Sequence, residues 1–208
     1  MPELPAGYSA PLPEARPTGL RRRRITAGTP LWRLDAEHPD AWTWTGFPEP
    51  RYRFDSAAGA FRTRYAATDL VGAFRERYRL SGMLIPADHA GHRLIGLTAA
   101  RHLRVLDLRT DRNLDALGVD DQISTGQHPA VWATCQHLAD AVARWWPEPD
   151  ERPDAVVYRS RTTPETSVNY AFFGVDPFAV ESWPLARRTD VLANLVLRHG
   201  FTVGFEFG

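Results

Sequence analysis

Arg33, Arg53, Tyr65 and Glu76 are the residues whose types and order first suggest chemistry. The local patterns place two arginines on strands, an aromatic on a third strand, and a glutamate on the helix that follows. A guanidinium fork grips phosphate and carboxylate oxygens through charge-assisted pairs of hydrogen bonds. A carboxylate facing the same hollow stabilises positive charge that develops on a bound molecule. Taken singly, each residue has a plainer explanation. An arginine on a strand is usually solvated or ion-paired, and a tyrosine there is often core. Two details favour the joint reading. Arg33 stands between Trp32 and Leu34, so in a strand its side chain points away from theirs. Glu76 lies two residues after Phe74, beside the apolar stripe of its helix and off it.

The chain contains no lysine, so all 25 basic side chains are arginine, balanced by 25 Asp and Glu. A GC-rich genome explains the bias simply, yet it has chemical consequences. A Walker-type phosphate loop, a Schiff-base lysine and a kinase-type lysine are excluded. Any bound anion must be held by arginine, backbone N–H groups or hydroxyls. The zero formal charge gives no reason to expect nucleic-acid binding or an anionic membrane surface. No G-x-G-x-x-G follows a strand, and there is no G-x-S-x-G elbow. His89 and His92 form H-x-x-H without further ligands nearby, so no metal site is expected.

The elements that must position these residues follow from periodicity. Residues 1–30 are rich in Pro, Gly and Arg and read as an extended arm, and 31–208 as a single domain. The run Arg21, Arg22, Arg23, Arg24 reads first as a solvated patch, and otherwise as a contact for an acidic partner or nucleic acid. Strands are expected at 31–34, 51–54 and 61–66. A helix capped by Thr68 or Asp69 runs to about residue 80, with Leu70, Val71, Phe74 and Tyr78 on its apolar face. Further strands are expected at 93–98 and 103–108, and a helical turn at 114–117. Pro129 opens a helix to about residue 146, with Val131, Cys135, Leu138 and Val142 inward. Strands at 155–158 and 168–173, a helix at 190–198 closed by Gly200, and a strand at 201–207 complete the chain. Strands outnumber helices, which indicates an α+β fold. A lone cysteine, Cys135, on an apolar helix face reads as packed, and the absence of an internal disulfide suits a reducing cytoplasm. No signal peptide or membrane span is expected. Phe201, Phe205 and Phe207 suggest edge-to-edge pairing into a homodimer.

As a set, these motifs resemble the RES domain family. The matching elements are Leu31-Trp32-Arg33, Arg53-Phe54-Asp55 with Gly59, Tyr65-Ala66-Ala67, and Glu76 on the next helix. Later segments agree: Cys135-Gln136 with Leu138-Ala139, Val157-Tyr158-Arg159-Ser160-Arg161, and Asn169-Tyr170-Ala171-Phe172-Phe173. The resemblance spans roughly residues 30 to 180. One element departs: near Gln136, where the family carries a serine, the chain reads Trp132-Ala133-Thr134-Cys135. Thr134 or Ser160 is left to supply that hydroxyl.

The resemblance implies an ADP-ribosyltransferase-like fold, with central antiparallel or mixed sheet flanked by helices. It implies cleavage of the nicotinamide–ribose bond of NAD⁺ by phosphorolysis or hydrolysis, with inorganic phosphate as a possible co-substrate. It also implies the toxin of a type II toxin–antitoxin pair, with a small DNA-binding antitoxin as partner. Arg33 and Arg53 would hold the pyrophosphate, Tyr65 the nicotinamide, Thr134 or Ser160 ribose or phosphate, and Glu76 the oxocarbenium-like ribose. The alternatives are ADP-ribosyl transfer to a macromolecule and a degenerate, non-catalytic binding module.

Overall fold

The computed structural model describes residues 8, 12–162, 167–174 and 178–207. Its frame is an eight-stranded sheet. The strands are β1 (Arg22–Ile25), β2 (Pro30–Asp35), β3 (Arg64–Ala67), β5 (Arg93–Ala99), β6 (Leu103–Asp107), β7 (Ala155–Arg159), β8 (Val168–Phe172) and β9 (Phe178–Pro184). They run in the order β1-β6-β7-β8-β3-β2-β5-β9. All neighbours pair antiparallel except β6 and β7. That parallel pair needs a long crossover, and α2 (Asp111–Leu117), α3 (Gln122–Thr125) and α4 (Pro129–Trp145) supply it. The remaining helices are α1 (Leu70–Tyr78) and α5 (Thr189–His199). A small second sheet pairs β4 (Leu84–Ile85) with β10 (Thr202–Val203) in parallel. The expected α+β architecture of mixed sheet and flanking helices is what forms. Among the described residues no helix is long and apolar enough to cross a membrane.

Period-2 alternation divides the strands between two cores. Leu106, Leu108, Val156, Tyr158 and Ala171 pack against Val131, Cys135, Leu138 and Val142 of α4. Leu103, Val105, Ala155, Val157, Tyr170 and Phe172 face a second cluster with Ile95 and Leu97. Phe74 and Tyr78 of α1 join Leu192 and Leu195 of α5 and Leu94 of β5 in a third. Pro129 is the first residue of α4, where its missing N–H costs nothing. Of the two candidate caps on α1, Asp69 accepts from the Gly72 N–H at 2.6 Å. Thr68 instead accepts from the Val168 N–H at 3.0 Å. Gly200 closes α5 in the left-handed conformation.

Four sequence expectations are corrected. Residues 51–54 form a turn, because one Asp55 carboxylate oxygen accepts from the N–H groups of Arg51 and Tyr52. The strand expected at 61–66 begins at Arg64, since the Arg62 N–H donates to Trp44 O within a loop. Part of the supposed arm is structural: β1 pairs with β6, and Leu20 and Ile25 are buried. The C-terminal strand is limited to Thr202–Val203. Phe201 is buried, and Phe205 and Phe207 pack on the α1–α5 core, so these rings contribute to the packing of their own domain. β9 was not evident from sequence. It is an edge strand ending in Pro184, a place where proline is tolerated.

Candidate active site

Strands β2 and β3, helix α1, the turn at 51–59 and the end of β7 surround a cavity of about 560 Å³. Arg33, Arg53, Tyr65 and Glu76 all line it, together with Trp132, Tyr158, Arg161 and Asn169. Its charge is lopsided. Among the described residues, Arg33, Arg51, Arg53, Arg62, Arg64, Arg77 and Arg161 contribute against Asp35, Glu37 and Glu76. Such a hollow favours an anion.

Glu76 stands two positions from the end of α1, and its Oε1 is held by two hydroxyls. Ser160 Oγ donates at 2.6 Å and Thr162 Oγ1 at 3.2 Å. The Thr162 N–H donates to Ser160 Oγ at 3.1 Å, which turns the serine proton toward the carboxylate. Ser160 is fully buried just beyond β7. Between the two candidate hydroxyls, the structure therefore brings Ser160 to the glutamate. Thr134 sits on α4 and donates to its own helix at Ala130 O (3.0 Å), and neither it nor Ser160 is among the described residues that line the cavity. The binding role expected of Thr134 is corrected on the ground of that bond: a hydroxyl engaged with the carbonyl four residues back is held to its own helix.

The arginines differ in how they are held. Arg33 donates to Tyr65 O at 3.0 Å and pairs with Asp35, which also takes Arg64 at 3.0 Å. Burial pushes the Arg33 guanidinium below its ordinary range, with Asp35 opposing that shift. Burial, then the charge of Arg33, lowers Arg64 to about 10. Arg53, expected on a strand as a phosphate ligand, sits in the turn. Its terminal nitrogens donate to Ile123 O (3.0 Å) and Gly126 O (2.6 Å), which ties α3 and the glycine that closes it to the cavity wall. Arg51 and Arg62 lie over the Phe47 ring, 4.6 and 4.0 Å from its centroid.

Tyr65 presents its ring to the cavity and packs edge-on to Tyr52 at 5.9 Å. Its hydroxyl accepts from the Phe54 N–H at 2.8 Å and lies 3.1 Å from Thr63 Oγ1. Burial, then the nearby Tyr158 and Asp55, drive its pKa well above the ordinary range, so it remains a neutral phenol. Burial, then the charge of Glu76, does the same to Tyr158. Asn169, buried in β8, also faces the cavity. Sequence reasoning missed Arg77, Arg161 and Thr162 as site residues. Their adjacency to Glu76 and Ser160 in the chain was the available signal. Among the described residues no group of three metal-ligating side chains occurs. His89 and His92 stack ring on ring at 3.8 Å, with His89 Nδ1 3.0 Å from the Tyr78 hydroxyl.

Fold and site together define an α+β protein with an arginine-lined cavity around a hydroxyl-held glutamate. The RES domain family model matches residues 30–191, and the chain belongs to that family. Among solved structures, it is similar to a chain of the M. tuberculosis MbcT–MbcA toxin–antitoxin complex, with 19% identity and a TM-score of 0.54. That alignment covers 78% of this chain and 86% of the other. No curated protein matches it.

Proposed function

We propose that this protein cleaves the nicotinamide–ribose bond of NAD⁺ and acts as the toxin of a toxin–antitoxin pair. The observation that carries the reading is the Glu76 carboxylate fixed by Ser160 at 2.6 Å inside a cavity dominated by arginine. In cleavage, the C1′–N bond breaks and its electron pair leaves with nicotinamide. The ribose becomes oxocarbenium-like, and a fixed carboxylate stabilises that charge without reorganising. With Oε1 engaged by Ser160 and Thr162, Oε2 is the oxygen available to the ribose or to an incoming phosphate or water. Arg33, together with Arg77 and Arg161, supplies cations for the pyrophosphate. Arg53 holds the wall through Ile123 and Gly126, a positioning role. The Tyr65 ring suits the flat nicotinamide. NAD⁺ is the substrate, inorganic phosphate is a candidate co-substrate, and a small DNA-binding antitoxin is the expected partner in the cytoplasm. The neighbour's complex supports the pairing by analogy of fold.

The test is NAD⁺ consumption by the purified protein, with and without phosphate, resolving nicotinamide, ADP-ribose and its phosphate. Glu76→Gln is expected to melt like wild type and to lose roughly 10²–10³-fold in rate, the usual cost of one preorganised electrostatic contact. Wild-type turnover in that variant overturns the assignment. Label from NAD⁺ found on protein or nucleic acid redirects the reading to ADP-ribosyl transfer. No turnover by the wild type, with unchanged melting at saturating NAD⁺, leaves only a binding module.

A further inference from the structure

The arginine run at residues 21–24 takes no part in the cavity. β1 ends the sheet order, so only one of its two edges is paired. Among the described residues, Arg22 to Ile25 make no backbone hydrogen bond outside that ladder. Alternate N–H and C=O groups of β1 therefore point outward, available to another strand.

The side chains on this edge are unusual. The register sets Arg24 directly opposite Arg104, and directly opposed side chains share a face. Arg22 shares that face by alternation. There it meets Trp146, whose ring centroid lies 5.7 Å from the Arg22 guanidinium and 5.3 Å from that of Arg16. Arg16, Leu20, Arg21, Arg22 and Trp146 line a hollow of about 230 Å³. Arg23, on the opposite face, pairs with Asp107 at 3.2 Å. By contrast, the described residues place no carboxylate within ion-pair distance of Arg16, Arg22, Arg24 or Arg104. Arg104 Nε is buried without a partner. Like charges placed directly opposite each other are destabilising, so the edge gains when an anion arrives.

We propose that this edge docks an extended acidic segment of a partner protein, which adds a strand beside β1 and sets its carboxylates against Arg16, Arg22 and Arg24. A second copy of the chain does not fit, because two β1 edges would oppose arginine to arginine. Nucleic acid fits poorly: the chain has no net charge to attract a polyanion, and a phosphate backbone leaves the strand's outward groups unpaired. Charge on an edge strand protects against aggregation, but protection requires neither the facing Arg104 nor the hollow at Trp146.

The probe is a labelled ten-residue peptide of alternating Glu and Val, titrated with the full chain in low salt and followed by fluorescence anisotropy. Saturable binding is expected, weakened roughly ten-fold or more by R22E/R24E or by N-methylation of alternate peptide amides. R22Q/R24Q, with a wild-type melting curve, is the control for folding and is expected to weaken binding to a smaller degree. The proposal is overturned by absent saturation, by equal binding of the N-methylated peptide, by unchanged binding in both variants, or by tighter binding of a thymidine decanucleotide than of the peptide.

Discussion

Ser160→Ala removes one hydroxyl and nothing else, which makes it the sharpest probe of the site. Ser160 is fully buried, its Oγ lies 2.6 Å from Glu76 Oε1, and Thr162 Oγ1 lies at 3.2 Å from the same oxygen. A hydrogen bond to a charged group contributes about 1.5–3 kcal/mol. The longer Thr162 bond retains part of the restraint, so the lower half of that range is the expected loss. At about 1.4 kcal/mol per ten-fold, kcat falls roughly 10- to 40-fold. KM for NAD⁺ stays near wild type, because the hydroxyl acts on the carboxylate and not on the bound substrate. Steady-state assays of nicotinamide release give the split between kcat and KM, and a melting curve confirms the fold. A double-mutant cycle supplies the decisive arm. If Ser160 works through Glu76, Ser160→Ala has almost no further effect in the Glu76→Gln background. An equal loss in both backgrounds, or a wild-type kcat in the single variant, refutes the reasoning.

Arg53→Met removes the guanidinium donors from the buried Ile123 carbonyl, which keeps only the Cys135 thiol at 3.4 Å, and from the half-buried Gly126 carbonyl, and a loss of about 2–4 kcal/mol is expected. In a chain of this length that lowers Tm by roughly 4–16 °C, readable by calorimetry. Gly46→Ala would place a Cβ 2.0 Å from Gly59 O, a backbone atom that cannot swing aside. The loop carrying Phe47 should loosen, at a cost of about 1–3 kcal/mol, and limited proteolysis should cut within 45–62 at lower protease concentration than in wild type. Burial, followed by the charges of His89 and Arg77, holds His92 below its ordinary range. Protonation therefore favours the unfolded chain, so this stability is complete above about pH 6.5 and declines as pH falls below it. Arginine-paired carboxylates such as Asp190, held at about 2 by Arg188, lose their share only below about pH 4. A melting series from pH 8 to 5 should show the step, and His92→Gln should flatten it.

Much of the fold was legible because periodicity and burial agree. Val131, Cys135, Leu138 and Val142 repeat at helical spacing and all turn inward on α4. Pro129 and Gly200 mark their helix ends by backbone geometry alone. Failures came where a side chain competes with the ladder. Arg51 to Phe54 alternates like a strand, but the Asp55 carboxylate captures two of its N–H groups. Strand β1 was hidden because arginine composition suggests solvent, and only pairing with β6 reveals its place. At the site, Arg33, Tyr65 and Glu76 could be named from order along the chain. That Ser160 and not Thr134 lies against Glu76 could not, since it depends on where β7 delivers its last residues relative to α1.

Among the described residues, five of the seven arginines that line the cavity share one device that helps keep positive charge ready, although Arg33 and Arg64 also pair with Asp35. A carboxylate partner would hold a guanidinium in place but cancel its field, and among the described residues three carboxylates line the wall. Aromatic faces hold without cancelling. Trp42 receives Arg33 at 5.0 Å and Arg64 at 4.4 Å, Phe47 receives Arg51 and Arg62, and Trp132 receives Arg53 at 5.3 Å. The planar guanidinium stacks in this way, whereas a compact ammonium keeps its hydration shell. A lysine-free composition therefore suits this site whatever its genomic origin. Replacing those aromatics by acids would preserve the rigidity of the wall and lose its attraction for an anion.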